Sequence, residues 1–535
     1  MTSGDSAASA TGSTAPAGAR IARPAWNVLT GTLTSYALLF VTIGLGVFLM
    51  PFTMSHLGKS EYGLWMLAVS MTGYLQLLDL GYGSGLVRQI TQADARHDED
   101  DMNVVLSTFV VVYGAIGIVS VAVIAILALV VIPRFPNLSA VDVRTAQWVI
   151  AILGFRIALA FPLSVFGAVT TARQRFALTG RIAIVLTLLQ GAGTYLVLRA
   201  GYGLIPLVAT TTAIALAGYV AYAAAARATF PAMRLSVARF SPHQVREVTS
   251  FSFYLFLISI AVYAGTSVDN LIIGAYFGTS AIAVYTVAVR LTEYQRQLCG
   301  QFGGFLFPLV VRFDADRDVH SLRTTLIDGT RIALGLACCV ALGLLAFGRE
   351  LIALWMGPGF AGSTLPLYVL ALASIVMVAQ GPSGTILLAT GRHRLVAGAS
   401  VLEIVLNVVF SIALVSRFGL TGVAIGTFLP YAILNLAVLM PTAARAVNVP
   451  LRQFATAVLM PALVATAPAA TAAFLLRQTA SAPTFATVVG QLAVVGFVYL
   501  AAFLWLGLRR ADRTRYVGSL KRVTMSVATT RAVAS

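Results

Sequence analysis

Leu57-Gly-Lys-Ser-Glu-Tyr-Gly-Leu-Trp-Met-Leu-Ala-Val-Ser-Met-Thr-Gly-Tyr74 returns 220 residues later as Phe277-Gly-Thr-Ser-Ala-Ile-Ala-Val-Tyr-Thr-Val-Ala-Val-Arg-Leu-Thr-Glu-Tyr294. Six of the eighteen positions are identical: Gly58/Gly278, Ser60/Ser280, Ala68/Ala288, Val69/Val289, Thr72/Thr292 and Tyr74/Tyr294. A weaker echo pairs Tyr202-Gly-Leu204 with Phe418-Gly-Leu420. Around these copies the chain is almost wholly apolar from Leu29 to Leu508, in fourteen stretches separated by short polar loops. Each stretch is about 20 residues long, enough to cross the ~30 Å hydrocarbon core of a bilayer. No water is present there to satisfy the backbone, so each is read as a helix. Six stretches separate each copy from its partner, so the two copies point the same way. The reading is two parallel six-helix halves related by an axis along the membrane normal. Transporters built so rock one half against the other around a central site.

Composition supports a membrane protein. Hydrophobic residues make up 59% of 535, charged residues 10%, and mean hydropathy is +0.88. Soluble domains carry about 25% charged residues. The expected fold class is an all-α polytopic membrane protein, with about 14 transmembrane helices in two pseudo-symmetric six-helix lobes plus two C-terminal helices. The expected division is a disordered cytoplasmic tail at 1–26, an N-terminal lobe at 27–227 (helices 1–6) and a cytoplasmic linker at 228–248. A C-terminal lobe at 249–445 (helices 7–12), two extra helices at 446–508 and a basic cytoplasmic tail at 509–535 complete it. The N-terminal tail lacks the apolar run of a cleavable signal peptide, so the first span is expected to direct its own insertion.

The formal net charge of +17 invites a nucleic-acid partner, but its distribution argues against one. Of 36 Lys and Arg, 26 fall in the tails and even-numbered loops, 7 in the odd-numbered loops, and Arg156, Arg290 and Arg296 lie inside helices. That is the positive-inside bias, with both termini cytoplasmic. The basic tail suits anionic headgroups. Lys59 and Lys521 are the only lysines, a mark of a GC-rich bacterial genome, so the expected location is the bacterial cytoplasmic (inner) membrane. Cys299, Cys338 and Cys339 fall in or near helices, and no structural disulfide is expected. None of the five histidines has metal-ligand spacing, and no resident cofactor is expected. There is no phosphate-binding Gly-x-x-x-x-Gly-Lys-Ser/Thr loop and no nucleophile elbow or metal-hydrolase motif. The chain reads as neither an ATP-driven pump nor an enzyme.

Local motifs sharpen this. They are Leu57-Gly-x-x-x-Tyr-Gly-Leu-Trp65, Leu77-Leu-Asp-Leu-Gly-Tyr-Gly-Ser-Gly-Leu-Val-Arg88, Asp269-Asn-Leu-Ile-Ile-Gly274, Gly391-Arg-His-Arg394 and Glu403-x-x-x-Asn407. In this order and spacing, over about residues 27–510, the chain resembles the polysaccharide (Wzx-type O-antigen/oligosaccharide) flippases. Those belong to the multidrug/oligosaccharidyl-lipid/polysaccharide exporter (MOP) superfamily. The resemblance implies movement of an undecaprenyl-diphosphate-linked oligosaccharide from the cytoplasmic to the outer leaflet, for surface polysaccharide biosynthesis. The sugar would cross a hydrophilic cavity between the lobes while the polyprenyl tail stays among membrane lipids. A polysaccharide polymerase and a chain-length regulator are the implied partners. Two relatives in the superfamily are the alternatives. One is a multidrug/cation antiporter, which twelve spans would favour. The other is the peptidoglycan-precursor (lipid II) flippase, also with fourteen. A membrane polymerase or ligase would carry a large outer loop, and the outer loops here are short.

Charges inside the membrane are the sharpest site signal, because each costs at least ~2.5–3.5 kcal/mol at a helix centre. Arg290 lies near the middle of the eighth span, with Glu293 and Arg296 following at steps of three on one broad side. Arg156 lies at mid-depth in the fourth span, and Arg88 follows the Gly-rich end of the second. Guanidinium groups suit a diphosphate, because they stay charged and present two parallel donors. The competing reading is internal pairing, Arg290 or Arg296 with Glu293 or with an acid on a neighbouring helix. Asp79 stands as a gate, a cation ligand or a cap for unwound backbone. Asp269, beside Asn270, is either a gate contact or an ordinary interfacial carboxylate. Glu403, one turn before Asn407, is the candidate for coupling to a proton or sodium gradient; an interhelical hydrogen bond is the alternative. Pro162, Pro382, Pro430 and Pro468 lie well inside spans and read as kinks.

Overall fold

The computed structural model describes residues 17–300, 303–479, 484–508 and 512–514, and the outermost parts of both expected tails lie outside it. Among the described residues every regular element is a helix. In chain order these are α1 (Ala17–Gly73), α2 (Tyr82–Ala95), α3 (Glu99–Ile126), α4 (Ala140–Ala172), α5 (Phe176–Arg199) and α6 (Leu204–Thr229). They continue as α7 (Pro242–Phe277), α8 (Thr279–Gly300), α9 (Gly303–Ala315), α10 (Val319–Met356) and α11 (Thr364–Ala389). The last are α12 (His393–Leu434), α13 (Met440–Ala446), α14 (Leu451–Thr479) and α15 (Phe485–Ala502). The protein is an all-α polytopic membrane protein.

Ten described segments are long and apolar enough to cross a membrane. Two of them are broken by glycine. The 57 residues of α1 would run ~86 Å if straight, far beyond a bilayer. At Gly58 the backbone turns to φ 76°, ψ 171°, a region open to glycine, and the chain reverses into a second rod. Gly419, at φ 58° and ψ −137°, breaks α12 in the same manner. α8 is helical throughout yet is not among the ten, because Arg290, Glu293 and Arg296 lower its hydropathy. Pro162, Pro382, Pro430 and Pro468 all lie within helices, and Pro461 adds a second proline to α14. Asp318 caps α10 by accepting from the Ser321 amide at 3.0 Å and its hydroxyl at 2.6 Å. Those bonds hold its carboxyl below the usual range. This contribution is present above the unfolded-state pKa and fades as pH falls through the lower folded value.

Packing follows the chain in groups. α4 packs on α3 and α6, and α5 on α1 and α6. Later in the chain α11 packs on α8, α10 and α12, and α7 on α12. α14 and α15 lie against α10 and each other. α1 meets α7 and α8 along a seam between the earlier and later helices.

The internal repeat is visible in the backbone. Gly58 (φ 76°, ψ 171°) and its counterpart Gly278 (φ 77°, ψ −178°) share one conformation at equivalent turns. The weaker echo is not matched so: Gly203 has φ −86°, Gly419 φ 58°. The two equivalent turns also touch. Ser60 Oγ lies 3.0 Å from Thr279 Oγ1, and a Cβ on Gly63 would overlap the Thr279 carbonyl. Lys59 Nζ donates to the Gly359 carbonyl at 2.6 Å and sits over the Phe360 ring. Asn137 donates to the Ala275 carbonyl at 2.7 Å, and Trp355 Nε1 to the Val47 carbonyl at 2.7 Å. Gly63→Ala is therefore expected to lower stability by about 2 kcal/mol, the usual scale of overpacking. Gly44→Ala, where a Cβ meets open space, serves as the neutral control. Thermal unfolding of the two detergent-purified variants checks this; equal midpoints would refute the steric reading of the seam.

Candidate functional site

A cavity of about 470 Å³ lies among α7, α8, α11 and α12, within the later half of the chain. That volume falls in the ~300–1,000 Å³ range of small-ligand sites. The break at Gly419 builds one wall. Glu403 and Asn407 lie one turn apart before it, and Thr427, Tyr431 and Asn435 follow at four-residue steps after it. The rods fold back so closely that a Cβ on Gly426 would overlap Ser411. Arg296 enters from α8 and Gln380 from α11, just before Pro382.

One end of the cavity holds a hydrogen-bond network centred on Asp269. Asp269 is buried at 5% exposure and accepts from the Tyr285 hydroxyl at 2.7 Å and from Thr427 Oγ1 at 3.0 Å. Asn407 Nδ2 donates to Thr427 Oγ1 at 3.1 Å. Asn270 Nδ2 donates to Ser70 Oγ at 2.9 Å and so crosses the seam. This burial excludes the interfacial-carboxylate reading of Asp269. The other end is different. Arg296 has a 3.6 Å contact with Met377 Sδ and no carboxylate partner among the described residues. Glu403 makes no ion pair or hydrogen bond among them. Tyr431 lies within electrostatic reach of both.

Of the residues singled out from the sequence, Asp269, Arg296, Glu403 and Asn407 share this cavity. The others lie elsewhere. Arg290 pairs with Glu293 at 2.7 Å, and Gln297 donates to the same carboxylate at 3.4 Å. Tyr62 and Tyr294 stand within electrostatic reach of Arg290, and the Tyr294 hydroxyl fits where a Cβ on Gly46 would be. Internal pairing is thus the observed state of Arg290, at the seam. Arg156, on α4, interacts with Tyr219 on α6. Neither Arg156 nor Arg290 lines the cavity among α7, α8, α11 and α12. Arg88 is exposed on α2. Asp79 accepts from the Tyr113 hydroxyl at 2.7 Å and from the Gly83 amide at 3.3 Å, which makes it the cap of the unwound stretch before α2.

A family profile described as "Polysaccharide biosynthesis protein" matches residues 56–365, more than half of the chain. The chain belongs to that family. Among curated relatives, the "Probable low-salt glycan biosynthesis flippase Agl15" of Haloferax volcanii is 25% identical over 188 residues, 35% of this chain and 40% of the relative. The "Probable flippase AglR" of the same organism is 23% identical over 205 residues, 37% and 43% of the two chains. The chain thus spans less than half the length of these curated relatives. Among solved structures, the lipid II flippase MurJ in an inward closed conformation superposes with a TM-score of 0.67 at 15% identity, covering 88% of this chain and 97% of that one. A multidrug resistance MATE family transporter of the MOP superfamily, inward-facing, gives 0.65 at 14% identity over 77% and 94%. At such identities these two show a shared fold.

In this polysaccharide biosynthesis family member, sequence reasoning missed Gln380, Thr427 and Tyr431, which are uncharged and so carry no signal in an apolar span. It also counted Arg331 among the charges of the tails and loops. Arg331 is buried at 7% exposure; it pairs with Asp512 at 2.9 Å and Asp328 at 3.6 Å and donates to the Ala457 carbonyl at 2.8 Å. It ties α10 to α14 and to the residues beyond α15. Arg331→Met is expected to cost about 2–3 kcal/mol, short of the ~3–5 kcal/mol of a fully buried pair because its partners are partly exposed. Thermal unfolding in detergent checks the loss, and an unchanged midpoint would refute it.

Proposed function

We propose that this protein is a flippase for undecaprenyl-diphosphate-linked oligosaccharide in the bacterial cytoplasmic membrane. It would carry the head group from the cytoplasmic to the outer leaflet by alternating access, for surface polysaccharide synthesis. The observation that carries the reading is the cavity itself. In a chain of the polysaccharide biosynthesis family, a membrane-embedded chamber presents an arginine with no acidic partner. An intramembrane charge in that state marks a substrate path. The two curated relatives named as probable flippases support the same reading.

The proposed stroke opens the Gly58/Gly278 end of the seam, taken as the outer face from the positive-inside bias. Opening breaks the Lys59–Gly359, Ser60–Thr279, Asn137–Ala275, Trp355–Val47 and Asn270–Ser70 hydrogen bonds. At about 0.5–1.5 kcal/mol each, these are worth roughly 3–7 kcal/mol together. A differential binding energy of ~5.5 kcal/mol suffices to turn a 1:99 equilibrium into 99:1, so cargo binding can drive such a seam. Coupling to a proton or sodium gradient is proposed to run through Asp269, whose network joins α7, α8 and α12.

Two experiments test this. In a deletion strain with matched expression, Arg296→Ala is expected to reduce surface polysaccharide at least about tenfold, the effect of losing one charged hydrogen-bonding group. Wild-type levels would remove Arg296 from the cargo path. A Ser60→Cys/Thr279→Cys pair, oxidised in membranes, is expected to block export until reductant is added. Export through the locked seam would rule out opening at this end.

A further inference from the structure

We infer that the unsatisfied end of the cavity is a sugar subsite, which takes a ring of the glycan while the diphosphate is held outside it. The inference rests on the flippase reading and goes beyond it by assigning a ligand class to one wall. Five side chains form that wall: Arg296, Gln380, Ser400, Glu403 and Tyr431. None of the five makes a hydrogen bond to protein oxygen or nitrogen among the described residues; only the Arg296 contact with sulfur is present. These five side chains are half-buried and open to the chamber, and the buried Oδ1 atoms of Asn407 and Asn435 in the same lining have no hydrogen-bond partner among the described residues either. Such a concentration at one end, beside a network at the other end that satisfies Asp269 internally, indicates a surface shaped for a polar occupant.

The chemistry of the wall selects the occupant. A diphosphate calls for donors and an excess of positive charge. Here Arg296 is the one cationic side chain of the five, and Glu403 beside it adds an acid where a diphosphate calls for more positive charge. A bare cation calls for six or more oxygens with no guanidinium among them. A sugar ring offers hydroxyls that both donate and accept. Arg296 supplies donors, Glu403 acceptors, and Gln380, Ser400 and Tyr431 supply both. Leu370, Val289 and Met377 give the same chamber an apolar side against which the C–H face of a ring can rest. Glu403 thereby acts as an acceptor for cargo hydroxyls.

Binding to full-length purified protein tests the assignment with two probes. One is lipid-linked oligosaccharide extracted from the strain that carries the chain; the other is undecaprenyl diphosphate without sugar. Glu403→Gln and Gln380→Ala are each expected to weaken the first probe about tenfold, and to leave the second within about twofold of wild type. Tyr431→Phe keeps the ring and loses only the hydroxyl, so a loss of about threefold is expected for the first probe alone. Equal losses for both probes would overturn the sugar subsite and leave the flippase reading intact. So would unchanged binding of the oligosaccharide by all three variants, each shown to be folded by its unfolding midpoint. Failure of the wild-type protein to bind either probe would overturn the flippase reading, and the subsite with it.

Discussion

Inside a bilayer an ionised side chain has two stable resting places: against an opposite charge, or against a polar space that the fold keeps open. The interior of this protein is sorted by that rule. Arg290 rests on Glu293. Arg331 rests on Asp328 and Asp512 and bonds a backbone carbonyl as well. Arg296 and Glu403 have no ion pair among the described residues, and both line the chamber. The contrast between Arg290 and Arg296, six residues apart on one helix, shows how far neighbours decide the role of a charge. The first meets a carboxylate one turn on. The second has turned past it, toward α11 and α12.

The length of the apolar runs made the helices legible, because a bilayer leaves an apolar run of that length no other structure. The repeat was legible too, and Gly58 and Gly278 share their backbone angles because the same reversal is needed at both places. Residue roles were less legible, and the reason is geometric. Three-residue spacing allows Arg290 to pair with Glu293 or to project into a cleft, and the sequence holds no term that decides between them. Depth along a helix was read for Asp269 without knowing which helices surround it; Tyr285 and Thr427 come from elsewhere in the chain and bury it. Gln380 and Tyr431 are ordinary residues in apolar helices until the packing of α11 on α12 sets them around an opening. Arg331 was missed because a residue near a helix entrance looks solvated until another segment covers it.

The seam and the chamber use different physics. At the seam, glycines let backbone meet backbone, and a few hydrogen bonds and one ammonium–ring contact close the rest. Each of those bonds is weak enough to exchange for water. In the chamber the helices are held by buried Asp269 and its two hydroxyl partners, Tyr285 and Thr427, with Asn407 donating to Thr427. A network of that kind stiffens its surroundings, because loosening one member exposes another.

The Gly419 reversal has a consequence for how selectivity and motion are divided. It assembles the compartment from rods on one side of the seam, so rotation of one half against the other would carry that compartment as a rigid passenger. What it accepts would then be fixed by its own lining, and how fast it travels by the hydrogen bonds across the seam. A lineage could retune its cargo without rebuilding its engine.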